Sequence, residues 1–167
     1  MNTMTRTSLT RMLVIACLAL TFAACKKEEA PKAVEAAPVS VPTTDDVAAW
    51  RAYVTDVAKR NMDGVTNSPY VYFLPSESSE GFGGQYERLL EKVEGDLSRG
   101  IIEGNMLVFA SPSSAKIGEL AVTGFGQVQP GTMNGVKVVF VGKSEDSMKV
   151  EAAAKPAGVK YVFVEAK

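Results

Sequence analysis

The residues in this chain that could do chemistry are few, and their types exclude most enzyme classes. The 167 residues contain no histidine and only two cysteines, Cys17 and Cys25. Ser-His-Asp and Cys-His nucleophile systems are therefore excluded, as is nearly every zinc, copper or haem site. Carboxylate or lysine catalysis and oxygen-ligated calcium or magnesium remain open, but the sequence has no Asp-x-Asp-x-Asp-Gly loop. We therefore expect no metal, no cofactor and a domain that is not an enzyme.

Hydroxyl side chains are the polar groups that could form a site, because they cluster just after predicted strands. Five such residues are Ser76, Ser78, Ser111, Ser113 and Ser144. In an open parallel sheet, ligands bind beyond the carboxyl ends of the strands, where helix N-termini direct free amides. These serines are therefore candidate ligands for a polar or anionic small molecule. Serine is also a preferred helix N-cap, and we favour that structural interpretation of the same pattern.

The residues before Cys25 predict export from the cytoplasm. Arg6 and Arg11 precede an apolar stretch over residues 12–24, which ends in two alanines. A charged start, a short apolar segment and small residues at its end are typical of a secretory signal peptide. The stretch is shorter than the roughly 20 residues that a membrane-spanning helix needs. We predict that residues 1–24 are a signal peptide that is cleaved from the mature chain.

The end of this segment resembles the lipobox of bacterial lipoproteins. The residues that carry the resemblance are Leu20, Phe22, Ala23, Ala24 and Cys25. The resemblance implies diacylglyceryl transfer to the Cys25 thiol, cleavage before Cys25, and acylation of the new amino terminus by a fatty acid such as palmitate. Each buried methylene contributes about 0.8 kcal/mol, so several acyl chains anchor a protein stably. Because Lys26 rather than aspartate follows the cysteine, the resemblance favours the outer membrane, facing the periplasm.

The segment after Cys25 has the composition of a linker. Residues 26–44 are rich in Lys, Glu, Ala and Pro, with prolines at positions 31, 38 and 42. Such a segment cannot bury enough apolar surface to fold. We therefore predict a lipidated, disordered tether over residues 25–44 and a single domain over residues 45–167. An ordinary secretory signal is the alternative, but it would leave a lone thiol in an oxidising compartment.

Apolar periodicity predicts alternating helices and strands in the domain. The predicted helices cover residues 45–62, 85–99, 113–123 and 145–154, and the predicted strands cover 70–74, 106–110, 136–141 and 159–164. We expect Trp50 to lie on the buried face of the first helix and Thr44 or Asp45 to be its N-cap. Strands that are apolar on both faces are typical of a parallel sheet between two layers. We predict an α/β fold: a single small three-layer domain with a mostly parallel sheet of about four strands and helices on both faces.

Charge and composition leave two functions open. Loss of two arginines with the signal peptide leaves 16 basic and 19 acidic residues, a net charge of −3, which disfavours binding to nucleic acid. The first hypothesis is a non-enzymatic envelope lipoprotein that is attached to the membrane through Cys25 and binds an envelope protein or small component. The alternative is a periplasmic small-ligand-binding domain or enzyme that uses the serine-rich loops.

Overall fold

The computed structural model describes residues 37–166, in which helices and strands alternate as predicted. In chain order the elements are α1 (Val47–Arg60), β1 (Tyr70–Phe73), α2 (Phe82–Ser98), β2 (Met106–Ala110), α3 (Ser114–Phe125), β3 (Lys137–Gly142), α4 (Ser144–Ala154), a short 3-10 helix (Lys155–Ala157) and β4 (Lys160–Glu165). The predicted bounds agree with these to within three residues at each end. The signal peptide, Cys25 and the first part of the predicted tether lie outside the described residues.

The four strands form one parallel sheet in the order β1-β2-β3-β4, which confirms the predicted α/β class. Each crossover moves one strand further in the same direction. Because such crossovers are right-handed, α2, α3 and α4 must all lie on one face of the sheet. Helix α1 covers the opposite face, so the domain has the three predicted layers. The sheet of residues 37–166 has no point at which its strand order reverses.

The two faces of the sheet form two separate apolar cores. On one face, side chains from the strands pack against the three crossover helices, and the buried ones include Tyr72, Leu107, Phe109, Val138 and Phe140. On the other face, Trp50, Val54 and Val57 of α1 pack against residues of β2 and β3 such as Val108 and Val139. Strands β2 and β3 are almost fully buried, which explains why they are apolar on both faces. The predicted buried position of Trp50 is confirmed, since it is 5% exposed.

Helix α1 is fixed at both ends by polar contacts. Its N-cap is Asp46, whose carboxylate accepts a hydrogen bond from the Ala49 amide at 2.6 Å, so the predicted cap at Thr44 or Asp45 was wrong by at least one residue. At the other end, the Lys137 ammonium donates to the carbonyl oxygens of Asn61 at 2.8 Å and Asp63 at 2.6 Å. A cation at the C-terminus of a helix satisfies free carbonyls and complements the helix dipole. This contact explains a lysine in an otherwise apolar strand.

The residues just before α1 lie against the domain. The Val39 amide donates to the Asp56 carboxylate at 3.1 Å, and the half-buried Val41 packs on the core of the α1 face. Further along, the Trp50 indole donates to the Thr44 carbonyl at 2.9 Å. Hydrogen bonds from the Arg60 side chain and the Val39 amide lower the pKa of Asp56. Residues 37–44, the last part of the predicted tether, thus form a strap along α1.

Glycines with positive φ precede three of the strands by two residues. Gly135 and Gly158 have φ values of 80° and 89°, and they begin the two similar segments that precede and include β3 and β4. Gly104, with a φ of 86°, likewise lies two residues before β2, although the residues that follow it differ from those after Gly135 and Gly158. Only glycine adopts this conformation without strain. The shared strand entry therefore explains the glycine at the start of each segment.

Candidate functional site

The serine-rich loops meet at the carboxyl edge of the sheet, where the sequence predicts them. Two of these loops, after β1 and β2, are joined directly. The Ser113 hydroxyl accepts a hydrogen bond from the Glu77 amide at 2.8 Å. The Ser111 hydroxyl, 1% exposed, accepts from the Ser113 amide at 2.9 Å and lies 3.5 Å from the Pro75 carbonyl. Ser111 and Ser113 are therefore brought together with the loop after β1.

The other two serines after β1 connect this edge to the start of α1. The hydroxyl oxygens of Ser76 and Ser78 are 3.0 Å apart, and the Ser78 hydroxyl donates to the Asp45 carboxylate at 3.2 Å. Because Ser78 has one hydroxyl hydrogen, Ser76 is the donor between the two serines. Ser76 is buried and Ser78 is exposed. The two hydroxyls form a short chain of hydrogen bonds that ends on a carboxylate.

Ser144, the fifth candidate, is exposed at the first position of α4, and a different serine joins the β3 loop to the others. The buried Ser114 hydroxyl accepts from the Lys143 amide at 2.8 Å and donates to the Asp146 carboxylate at 2.7 Å. The Lys149 ammonium lies 3.7 Å from the other Asp146 oxygen. Sequence reasoning missed the role of Asp146, although an acidic residue in the first turn of a helix is a known signal for stabilising contacts there.

The packing around Ser114 explains the glycine at the end of β3. A Cβ atom at Gly142 would lie 2.5 Å from the Ser114 hydroxyl oxygen and 2.8 Å from the Phe140 ring. A contact that short does not occur in folded proteins without displacement of the neighbour. Glycine is thus required here because strand β3 ends against the start of α3.

The prediction that these serines act as helix N-caps is wrong in detail. Helix α2 begins after Gly81 and α4 begins after Lys143. Ser113 stands at the N-cap position of α3, but its hydroxyl bonds to the neighbouring loop and makes no cap hydrogen bond. The hydroxyls connect adjacent loops at an edge where backbone amides have no strand partner.

Two depressions beside this edge are lined mainly by residues of the helices and by none of the five candidate serines. One, of about 300 Å³, is lined by Glu77, Phe82, Gly83, Tyr86, Glu87, Lys116 and Glu119. In it the Lys116 ammonium lies 3.2 Å from the Glu119 carboxylate and 4.0 Å from Glu77. The hydrogen bond to Glu119 raises the pKa of Lys116. The cation is therefore already paired with the acidic residues around it.

Three further observations bear on function. Among residues 37–166, no group of three or more His, Cys, Asp or Glu side chains is arranged to hold a metal ion. None of the helices in that range has the length and apolar character to cross a membrane. No family model, curated protein or solved structure matches this chain.

The role of Ser114 can be tested by its removal. Ser114→Ala is expected to destabilise the domain by about 1–2 kcal/mol, because the buried Asp146 carboxylate and the Lys143 amide each lose a hydrogen bond. Urea denaturation measures the change. Ser144→Ala is the matched control and should stay within about 0.5 kcal/mol of the parent, since Ser144 is exposed. Equal effects of the two substitutions would contradict the assigned role.

Proposed function

We propose that this protein is a bacterial lipoprotein whose domain is a non-enzymatic binding module, held at the outer membrane and facing the periplasm by acyl chains on Cys25. The observation that carries the proposal is the order of residues before the cysteine: two arginines, an apolar stretch over residues 12–24, and small residues. Acylation at Cys25 accounts for a single cysteine in the mature chain. Because Lys26 follows it, the outer membrane is the proposed location.

The arrangement of the carboxyl edge supports binding through a surface over catalysis in a pocket. An enzyme or small-ligand site at this edge would need hydroxyls directed at a ligand. Those of Ser78, Ser113 and Ser114 instead bond to groups of the domain. Ligand crevices of open α/β sheets also form where the strand order reverses, and the order β1-β2-β3-β4 runs in one direction.

The anchoring is tested by labelling cells with a clickable palmitate analogue. The parent protein should be labelled and sediment with membranes, and the intact mass should equal that of residues 25–167 plus acyl groups. Cys25→Ser should abolish the label and prevent cleavage by the lipoprotein-specific pathway. Cys17→Ser is the matched control, because Cys17 lies in the predicted signal peptide, and it should be labelled like the parent. Equal labelling of the parent and the Cys25→Ser variant would refute the proposal.

The binding role is tested by crosslinking in intact membranes followed by mass spectrometry of the crosslinked products. A partner protein that is recovered reproducibly with the parent, and lost when the domain is unfolded by substitution, supports the proposal. Purification of the protein with a stoichiometric small molecule at the serine-rich edge would favour a small-ligand-binding domain instead.

A further inference from the structure

Strand β1 leaves one edge of the sheet open. Among residues 37–166 it pairs with β2 alone, and the Leu74 amide donates to the Ala110 carbonyl at 3.1 Å. Because hydrogen bonding alternates along a parallel strand, the backbone amides and carbonyls of Val71 and Phe73 point away from β2. Val71 is also 44% exposed. An edge of this kind can accept an additional strand from another chain.

The open edge lies at the bottom of a groove between α1 and α2. The groove has a volume of about 390 Å³ and is lined by Arg51, Val54, Thr55, Val71, Phe73, Leu89 and Lys92. A second depression of about 290 Å³ shares Phe73, Leu89 and Lys92 with it and extends to Pro75, Gln85 and Arg88. The two together form a continuous channel along β1, which we call the β1 groove. Val71 and Phe73 of the strand contribute apolar side chains to it.

The β1 groove is positively charged in an acidic protein. The residues that line it include three cations, Arg51, Arg88 and Lys92, and no acidic side chain. The Arg51 guanidinium lies 5.9 Å from the centre of the Phe73 ring, and the Lys92 ammonium lies 5.7 Å from that of Tyr72. Lys92 also bonds to Asp96 at 2.8 Å, which leaves the two arginines as the cations with no acidic partner lining the groove.

We propose that the β1 groove binds an extended acidic segment of a partner protein, which adds to β1 as a fifth strand. Alternate side chains of an added strand point to opposite faces. Acidic residues of the segment would meet Arg51 on the α1 side and Arg88 on the α2 side, and apolar residues would cover Val71 and Phe73. The proposal names the partner class of the binding module and rests on that proposed function.

The charge of the β1 groove favours an acidic peptide over a second copy of the chain or a nucleic acid. A second copy of the chain paired through β1 would bring the same cations together, and like charges across paired strands are destabilising. A nucleic acid requires many phosphate contacts, and the groove offers three cations on a chain with a net negative charge. A short acidic peptide satisfies the cations and the open backbone groups together.

The test uses the full-length protein in mild detergent and a fluorescein-labelled hexapeptide that repeats Val-Glu-Glu, which places glutamates on both faces of an added strand. Fluorescence anisotropy should detect saturable binding that weakens with salt, and amide hydrogen exchange should slow at Val71 and Phe73, whose amides point away from β2. A lysine version of the peptide, and a version N-methylated at alternate residues, should each bind at least tenfold more weakly. Equal binding of either version would overturn the proposal, because the charge or the strand pairing would then contribute nothing to binding.

The variant Arg51→Glu with Arg88→Glu should weaken peptide binding at least tenfold. The matched control is Lys59→Glu with Lys160→Glu, which makes the same change in net charge at exposed positions outside the groove and should change binding less than twofold. Binding that is equally weak in both variants would overturn the proposal, as would equal competition by an oligothymidylate of the same charge. These measurements do not depend on Cys25. A failure of the groove proposal can therefore be distinguished from a failure of the proposed lipid anchor.

Discussion

Replacement of Asp96 by alanine is expected to destabilise the domain by about 1–3 kcal/mol, since it leaves the buried hydroxyl of Tyr72 without a hydrogen-bond partner. Asp96 lies on α2 and is 4% exposed. Its carboxylate accepts hydrogen bonds from the Tyr72 hydroxyl at 3.0 Å, from Lys92 at 2.8 Å and from Arg99. The two cations can return to water, but the Tyr72 side chain is completely buried and its hydroxyl cannot.

The contribution of the hydroxyl alone is isolated by Tyr72→Phe. This substitution removes the donor and its need for a partner together, and it should cost about 1 kcal/mol. Urea denaturation of the two single variants and of the double variant forms a double-mutant cycle. In the Tyr72→Phe background, the cost of Asp96→Ala should be smaller than in the parent. An Asp96→Ala variant within about 1 kcal/mol of the parent would contradict the assignment of the buried cluster.

The same cluster predicts how stability depends on pH. Burial acts to raise the pKa of Asp96, but the hydrogen bonds from Lys92 and Tyr72 outweigh it and lower the pKa. The folded state therefore binds fewer protons than the unfolded state, in which the pKa is about 3.9. The stabilisation that the ionised Asp96 carboxylate gives to the folded state is fully present above about pH 3.9. It is lost as the pH falls through the lowered pKa that Asp96 has in the folded state. Between about pH 5 and pH 3 the parent should lose more stability than Asp96→Asn.

A second large effect is expected where α2 and α3 approach each other. A Cβ atom at Gly124 of α3 would lie 2.7 Å from Val93 and 3.2 Å from Leu97, both on α2. Gly124→Ala should therefore force the two helices apart at a cost of about 1–3 kcal/mol. The gain in helix propensity, about 0.5–1 kcal/mol, offsets part of this.

Gly95→Ala is the matched control for that gain. Gly95 lies inside α2, and no atom lies within 4 Å of a Cβ built there. The substitution should stabilise the domain by about 0.5–1 kcal/mol. The difference in free energy of unfolding between the two variants then reports the packing cost alone. If both variants were stabilised equally in thermal and urea denaturation, the close contact between α2 and α3 would not exist in solution.

Most of the fold was predictable because each element has a clear local pattern. The apolar runs of β2 and β3 and the spacing of Trp50, Val54 and Val57 determine the type and place of their elements. The start of α2 was placed three residues late, because two glycines at positions 83 and 84 do not favour a helix, yet both lie in its first turn. The strand order was not predictable, since local periodicity does not specify which strands are neighbours.

The position of the candidate site was predictable from the sequence, but the hydrogen-bond partners of its serines were not. Serines after strands must lie at the carboxyl edge of a parallel sheet, and they do. Their partners are in other loops, however, as with Ser113 and the Glu77 amide, which are 36 residues apart in the chain. Asp96 has the spacing of a surface acid on an amphipathic helix, and its burial follows from the hydroxyl of Tyr72, 24 residues away. Contacts of this kind depend on the strand order, which the sequence pattern does not contain.

The one-directional order of the sheet has a consequence for how the chain reaches this fold. Every strand is the spatial neighbour of the strand that precedes it in the chain, so each pairing closes a loop that contains a single α-helix. The entropic cost of closure grows with loop length, and no pairing here has to wait for a distant segment. Assembly can begin at any adjacent pair and extend outward one unit at a time, much as solenoid repeats do. We therefore expect a low contact order for a parallel sheet, and a nascent chain that can complete its sheet in the order in which it emerges.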